Sequence, residues 1–184
     1  SPHFSQVVCV DIAGNLLKAA AAKARELGLA NMEFREVDLY KMDWPEETYD
    51  VVFFHASLHH FEAVEDLLQT KVQTTLKQGG LVLINEYAGP NRLQYPKAQI
   101  RAINEALQLI PEAYRRRFKT DILKRWVSGP GLWRMILADP SECVDSESII
   151  PALHRHFEVV EERPYGGNLL MLALKDIAHH FVDN

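Results

Sequence analysis

Three short apolar runs limit what this chain can fold into more than any other feature. Val7-Val8-Cys9-Val10, Val51-Val52-Phe53-Phe54 and Leu81-Val82-Leu83-Ile84 lack the alternation of a strand with one wet face. They read as strands covered on both sides. A fourth strand, Met32 to Val37, alternates apolar and charged residues and leads into Asp38-Leu39. Helical stretches separate them: alanine-rich Leu16 to Leu27, closed by Gly28 at its C-cap, and Ala63 to Leu76. Lys77-Gln78-Gly79-Gly80 reads as a turn. Strands alternating with helices imply right-handed crossovers, so the fold class is α/β: a doubly wound, Rossmann-like, mostly parallel sheet.

The rhythm changes at Gly89. About 55 residues follow with helical spacing and no strand, Leu93, Ile100, Ile103, Leu107 and Ile110 making an apolar stripe. This insertion, about 89–145, is expected to form a helical lid. Ser146 to His156 reads as a capped helix. Phe157 to Glu162 and Leu169 to Leu174 flank Pro164-Tyr165-Gly166-Gly167 and read as a hairpin, which gives the sheet a terminal antiparallel strand. The 184 residues fit one domain, 1–184, with the hydrophobic (47%) and charged (24%) content of an ordinary globular protein.

There is no apolar run of about 18 residues, so no membrane partner is expected. Ser1 to Phe4 has no secretion-signal pattern, and the two cysteines make no framework, so a cytoplasmic location is expected. The net charge is −5, yet Arg92 to Arg125 carries nine bases against three acids. Two readings follow: the segment meets something anionic, or it is a solvated helix face.

Open α/β sheets bind ligands at the carboxyl ends of their strands. Asp11 ends the first strand, where a carboxylate can accept both hydroxyls of a ribose, in NAD or S-adenosylmethionine alike; it is also a good N-cap for the next helix. Asp38 ends the second strand and suits an exocyclic amine such as adenine N6, or serves only a turn. His55, Ser57, His59 and His60 follow the third strand. His59 or His60 suits a general base toward a substrate hydroxyl, or caps the following helix. Three histidines in six residues invite a metal reading, but no Cys, Asp or Glu accompanies them in the loop, so no metal is expected. Glu86 closes the fourth strand, its role open between substrate contact and structure.

Val-Cys-Val-Asp before an alanine-rich helix, Glu-Val-Asp-Leu, Tyr-Asp-Val-Val-Phe-Phe-His-Ala-Ser-Leu-His-His-Phe and Leu-Lys-Gln-Gly-Gly-Leu-Val-Leu-Ile-Asn-Glu-Tyr stand in this order. Together they resemble consecutive motifs of class I S-adenosylmethionine-dependent methyltransferases, over residues 7–87 and roughly 147–175. The resemblance implies that Asp11 and Ile12 bind the cofactor's ribose, Asp38 and Leu39 its adenine, and that His55 lies near its methionine part. It also implies methyl transfer to a small molecule, anionic if the basic segment selects the acceptor, with His59 or His60 as base. In that family a strand and a glycine-rich loop precede the position of Asp11, and that strand lies at the centre of the sheet. Ten residues precede Asp11 here, none of them glycine. An unpaired central edge promotes association, so a homo-oligomer is expected. Rival readings are a nicotinamide-dependent oxidoreductase, for which no Tyr-x-x-x-Lys pattern is present, a truncated methyltransferase fold acting as an interaction module, and a nucleic-acid methyltransferase using Arg115-Arg116-Arg117. The acidic balance argues against nucleic acid.

Overall fold

The computed structural model describes residues 3–165 and 169–182. It divides into two compact units, Ser1–Pro45 and Glu46–Asn184. The first is a βαβ unit. Strand β1 (Val7–Asp11), helix α1 (Gly14–Glu26) and strand β2 (Met32–Glu36) succeed one another, and β1 pairs with β2 in parallel from Val7↔Met32 to Asp11↔Glu36. Helix α1 buries Leu17 and Ala24 and ends where the sequence marks an end. Gly28 takes a left-handed φ of 68°, its N–H donating to the Arg25 carbonyl and that of Leu29 to Ala24. That is a Schellman closure, and only glycine adopts it without strain.

The second unit is built on strands β3 (Tyr49–His55) and β4 (Leu76–Asn85), again parallel. Their register slips between Tyr49↔Leu76 and Val51↔Leu81, so the glycine turn at Lys77–Gly80 is a bulge within β4. Gly79 has a left-handed φ of 76°, and a Cβ on Gly80 would lie 2.9 Å from the Lys77 carbonyl oxygen. The connection carries α2 (Val64–Leu67), a π-turn at Leu68–Val72 and α3 (Gln73–Thr75). Its buried side chains, Val64, Leu67, Leu68 and Val72, form a core with Ile149 and Ala152 of a later helix.

The segment 89–145 is helical in part; 116–131 holds no helix and carries an isolated antiparallel bridge between Arg116 and Leu123. The segment holds α4 (Lys97–Leu109), burying Ile103 and Leu107, and α5 (Leu132–Ala138). After a 3-10 turn at Ser146–Ser148 comes α6 (Ile149–His156).

Two expectations are corrected. The first is the single doubly wound sheet: among the described residues the strands form two separate two-stranded parallel sheets, β1-β2 and β3-β4. A continuous sheet needs a strand that pairs with both β1 and β3, and there is none among the described residues. The second is the terminal antiparallel strand. Phe157 to Tyr165 pairs with no strand, and Leu170–Leu174 is a helix, α7; part of the expected turn, 166–168, lies outside the described residues.

The cause of the second difference is tertiary. Leu-Met-Leu-Ala-Leu is strong helix-forming sequence, and α7 packs against α4. The nearly buried Lys124 reaches its C-terminal end, the ammonium donating to the carbonyls of Leu172 (2.7 Å), Ala173 (3.1 Å) and Lys175 (2.6 Å). A cation on the orphan carbonyls of a helix end is favourable in both hydrogen bonding and charge. Burial nonetheless draws the Lys124 pKa below its ordinary value. Lys124→Met is expected to cost about 2 kcal/mol or more, because buried carbonyls lose their donors; urea unfolding followed by circular dichroism measures it.

Candidate functional site

In the first unit the two acidic residues stand at the carboxyl end of the strand pair. Asp11 is exposed, its Oδ1 accepting from the Ala13 N–H at 2.8 Å. This turn fixes the plane of the carboxylate at the strand's end. Ile12, beside it, is exposed as well. The Asp38 carboxylate accepts from the Tyr40 N–H at 3.0 Å and pairs with Lys41 at 2.8 Å. The hydrogen bond from Lys41, with that from Tyr40, holds its carboxyl below the usual range. The Leu39 carbonyl accepts the Trp44 indole N–H at 3.0 Å. Both acids therefore already serve local turns at the strand ends; the N-cap of α1 is Ala13, not Asp11.

In the second unit the organising group is Glu86, one residue past β4. Its side chain is 1% exposed and accepts three bonds. Oε1 takes the backbone N–H groups of Ser57 and Leu58, the latter at 2.6 Å, and Oε2 lies 2.6 Å from His59 Nδ1. The carboxylate thus closes the 3-10 turn Leu58–His60, which follows the left-handed Ala56 and precedes the left-handed Ala63. Burial opposes ionisation of Glu86, but the bonds from His59, Ser57 and Leu58 outweigh it and hold its pKa below the ordinary value. The same bond to Glu86 raises the pKa of the nearly buried His59 against its own desolvation, helped by the charges of Glu86, Glu142 and Asp139. His55, at the end of β3, is exposed and lies 2.9 Å from Asn85 Nδ2 through Nδ1.

A loop from the end of the insertion completes this rim. Asp139 accepts from the Ser141 N–H and hydroxyl. The Arg92 guanidinium donates to the carbonyls of Pro140 and Glu142. The Val144 N–H donates to the His59 carbonyl at 3.2 Å, and Asp145 Oδ2 accepts from the Val64 N–H at the start of α2. Held in this way, Glu142 faces both histidines, its Oε2 lying 4.0 Å from His59 Nε2 and 3.8 Å from His60 Nε2. Its Oε1 accepts from the buried Cys143 thiol at 3.3 Å; burial, with the Glu142 charge, pushes that thiol up to about 12.

His59, His60 and Glu142 thus form a group whose ligand atoms lie within 4.8 Å of one another. The expectation of no metal ligand set requires correction in its reasoning. A carboxylate does accompany the histidines, brought in by the fold from the far end of the insertion. No local spacing reveals it.

Residues 1–84 match the family model of a methyltransferase domain. The ubiquinone/menaquinone biosynthesis C-methyltransferase UbiE of Pseudomonas savastanoi pv. phaseolicola is 32% identical over 94 residues, which is 50% of this chain and 36% of that protein. Over this half the chain is similar to methyltransferases. The uncharacterized methyltransferase YcgJ of Bacillus subtilis is 23% identical over 88 residues, 48% of this chain and 35% of YcgJ. The chain thus spans about a third of the length of these curated relatives. In fold it is similar to an S-adenosylmethionine-dependent methyltransferase from Mesorhizobium loti, with TM-score 0.50 and 19% identity over 96% of this chain and 75% of that one. The methyltransferase match covers β1 to β4, the elements that position Asp11, Asp38, His55 and the histidine turn.

Replacing Glu86 by Gln is expected to cost about 2–4 kcal/mol near pH 6, because a buried ion pair with two backbone bonds loses its charge. The Glu86 share, from a depressed pKa, is present above the ordinary carboxylate value and lost as pH falls. The His59 share, from a raised pKa, is present below about 6.5 and lost as pH rises through the raised value. The stability difference between wild type and variant should therefore peak between about pH 4.5 and 6.5, read from urea unfolding across pH.

Proposed function

We propose that the chain transfers a methyl group from S-adenosylmethionine to a small-molecule acceptor. The observation that carries this reading is the methyltransferase-domain match over residues 1–84, with acidic residues at the carboxyl ends of the strands it covers. The residues present fit the nucleoside part of the cofactor. The Asp11 carboxylate is exposed and oriented, and the Asp38 carboxylate is screened only by Lys41, whose side chain is 83% exposed and displaceable.

In this reading Asp11 and Ile12 hold the ribose, Asp38 and Leu39 the adenine, and His55 neighbours the methionine part. The cofactor supplies an electrophilic methyl carbon, so the protein contributes placement, exclusion of water and proton handling. His59 is the better proton acceptor of the pair: Glu86 on Nδ1 fixes the ring, leaving Nε2 toward the rim. His60, held by Ser141, is its neighbour at 4.3 Å between ring centroids.

The basic segment supports an anionic acceptor less than its charge implies. Arg92, Arg115, Arg116, Arg117 and Lys124 all bond to groups of the protein itself. A single 1–184 domain in which 89–145 covers the acceptor, a cytoplasmic location suited to the free Cys9 and Cys143, and a homo-oligomer belong to the same proposal. Support for self-association comes from Phe53, Leu81 and Leu83, exposed on one face of the β3-β4 pair. Among the described residues no helix is long and apolar enough to cross a membrane.

Calorimetry with S-adenosylhomocysteine tests the reading. Binding is expected, weakened about tenfold or more by Asp11→Ala through loss of charge-assisted bonds to the ribose. No binding to the wild-type chain would favour the interaction module instead. Light scattering should give a mass above that of one chain.

A further inference from the structure

We propose that His59, His60 and Glu142 bind a divalent transition-metal ion, zinc being the expected occupant. The inference goes beyond methyl transfer, because it asks only that three side chains ligate.

The tautomers argue for it. His59 Nδ1 faces the buried Glu86 carboxylate at 2.6 Å, and an ionised carboxylate only accepts, so in the neutral ring the proton sits on Nδ1 and Nε2 carries the lone pair. At His60, Nδ1 lies 3.0 Å from the Ser141 hydroxyl. That hydroxyl donates its own proton to Asp139 at 2.7 Å, so it accepts from His60, whose Nε2 also presents a lone pair. Glu142 has Oε1 occupied by the Cys143 thiol and directs Oε2 at both imidazoles. Two lone pairs and an anionic oxygen therefore face one gap, at 3.8 and 4.0 Å, too far for direct hydrogen bonds. Such an arrangement of acceptors is unfavourable until a cation enters it.

Two imidazoles and a carboxylate form the three-ligand set of an open zinc site, which leaves a fourth position for water or a substrate oxygen. Bonds of about 2.0–2.2 Å at tetrahedral angles put ligand atoms about 3.4 Å apart; Glu142 must approach each histidine by roughly half an ångström, and ligand atoms that now lie within 4.8 Å of one another must draw in by up to about 1.4 Å. The outer groups suit the purpose: a carboxylate behind one histidine and a hydroxyl behind the other fix both rings, as metal-bound histidines require. With the ion bound, the His59 lone pair would no longer be free as a base.

The test uses the whole chain stripped with a chelator, and neither cofactor nor methyl acceptor, so it reads independently of methyl transfer. Co²⁺ titration should give visible d–d absorption that saturates at one equivalent and is displaced by Zn²⁺. His60→Ala and Glu142→Ala, both at partly exposed positions, should each weaken Co²⁺ binding about tenfold or more while circular dichroism stays unchanged. Glu86→Gln should weaken it through the outer shell. Cys9→Ser and His179→Ala should each bind as wild type does. Absence of stoichiometric binding, or binding that survives both His60→Ala and Glu142→Ala, overturns the proposal.

Discussion

The second unit depends on one buried carboxylate. Glu86 sits just past β4, where the parallel pair ends and the N–H groups of Ser57 and Leu58 turn inward and need an acceptor. By accepting two N–H groups and an imidazole it joins strand end, turn and side chain in one charged contact. A neutral residue cannot do this, because burial raises the cost of every unmade bond. The turn's other connections, from Val144 to His59 and from Asp145 to the start of α2, assume that this anchor is in place.

Much of the fold was legible in the sequence. The runs at Val7, Val51 and Leu81 and the alternation at Met32 marked four strands, and Gly28 marked the end of α1. Short apolar stretches are where periodicity loses its power. Leu169 to Leu174 reads as a strand but forms a helix at Leu170–Leu174, whose end is held by Lys124, 48 residues before Leu172. The sheet likewise failed to close because pairing is non-local: each strand was identifiable, but its neighbour was not.

The candidate site divides along the same line. Asp11, Asp38, His55, His59 and His60 were found because strand ends and a histidine-rich loop are local patterns. Glu142 was not, since it lies in an ordinary polar stretch and gains meaning only from Arg92, Asp139 and Asp145 pinning its loop. Glu86 was noticed at its strand end, but its three acceptor bonds could not be read from sequence. In the basic segment, Arg92, Arg116 and Lys124 donate to the protein's own carbonyls, which no charge count reveals.

Helix α7 is five residues long, far below what holds a helix together by itself in water. Its terminal carbonyls are completed by a lysine from a distant loop, so neither piece has a stable form without the other. Heating or denaturant should release 116–124 and the C-terminal stretch in a single step, and amide exchange in both segments should proceed at a common rate.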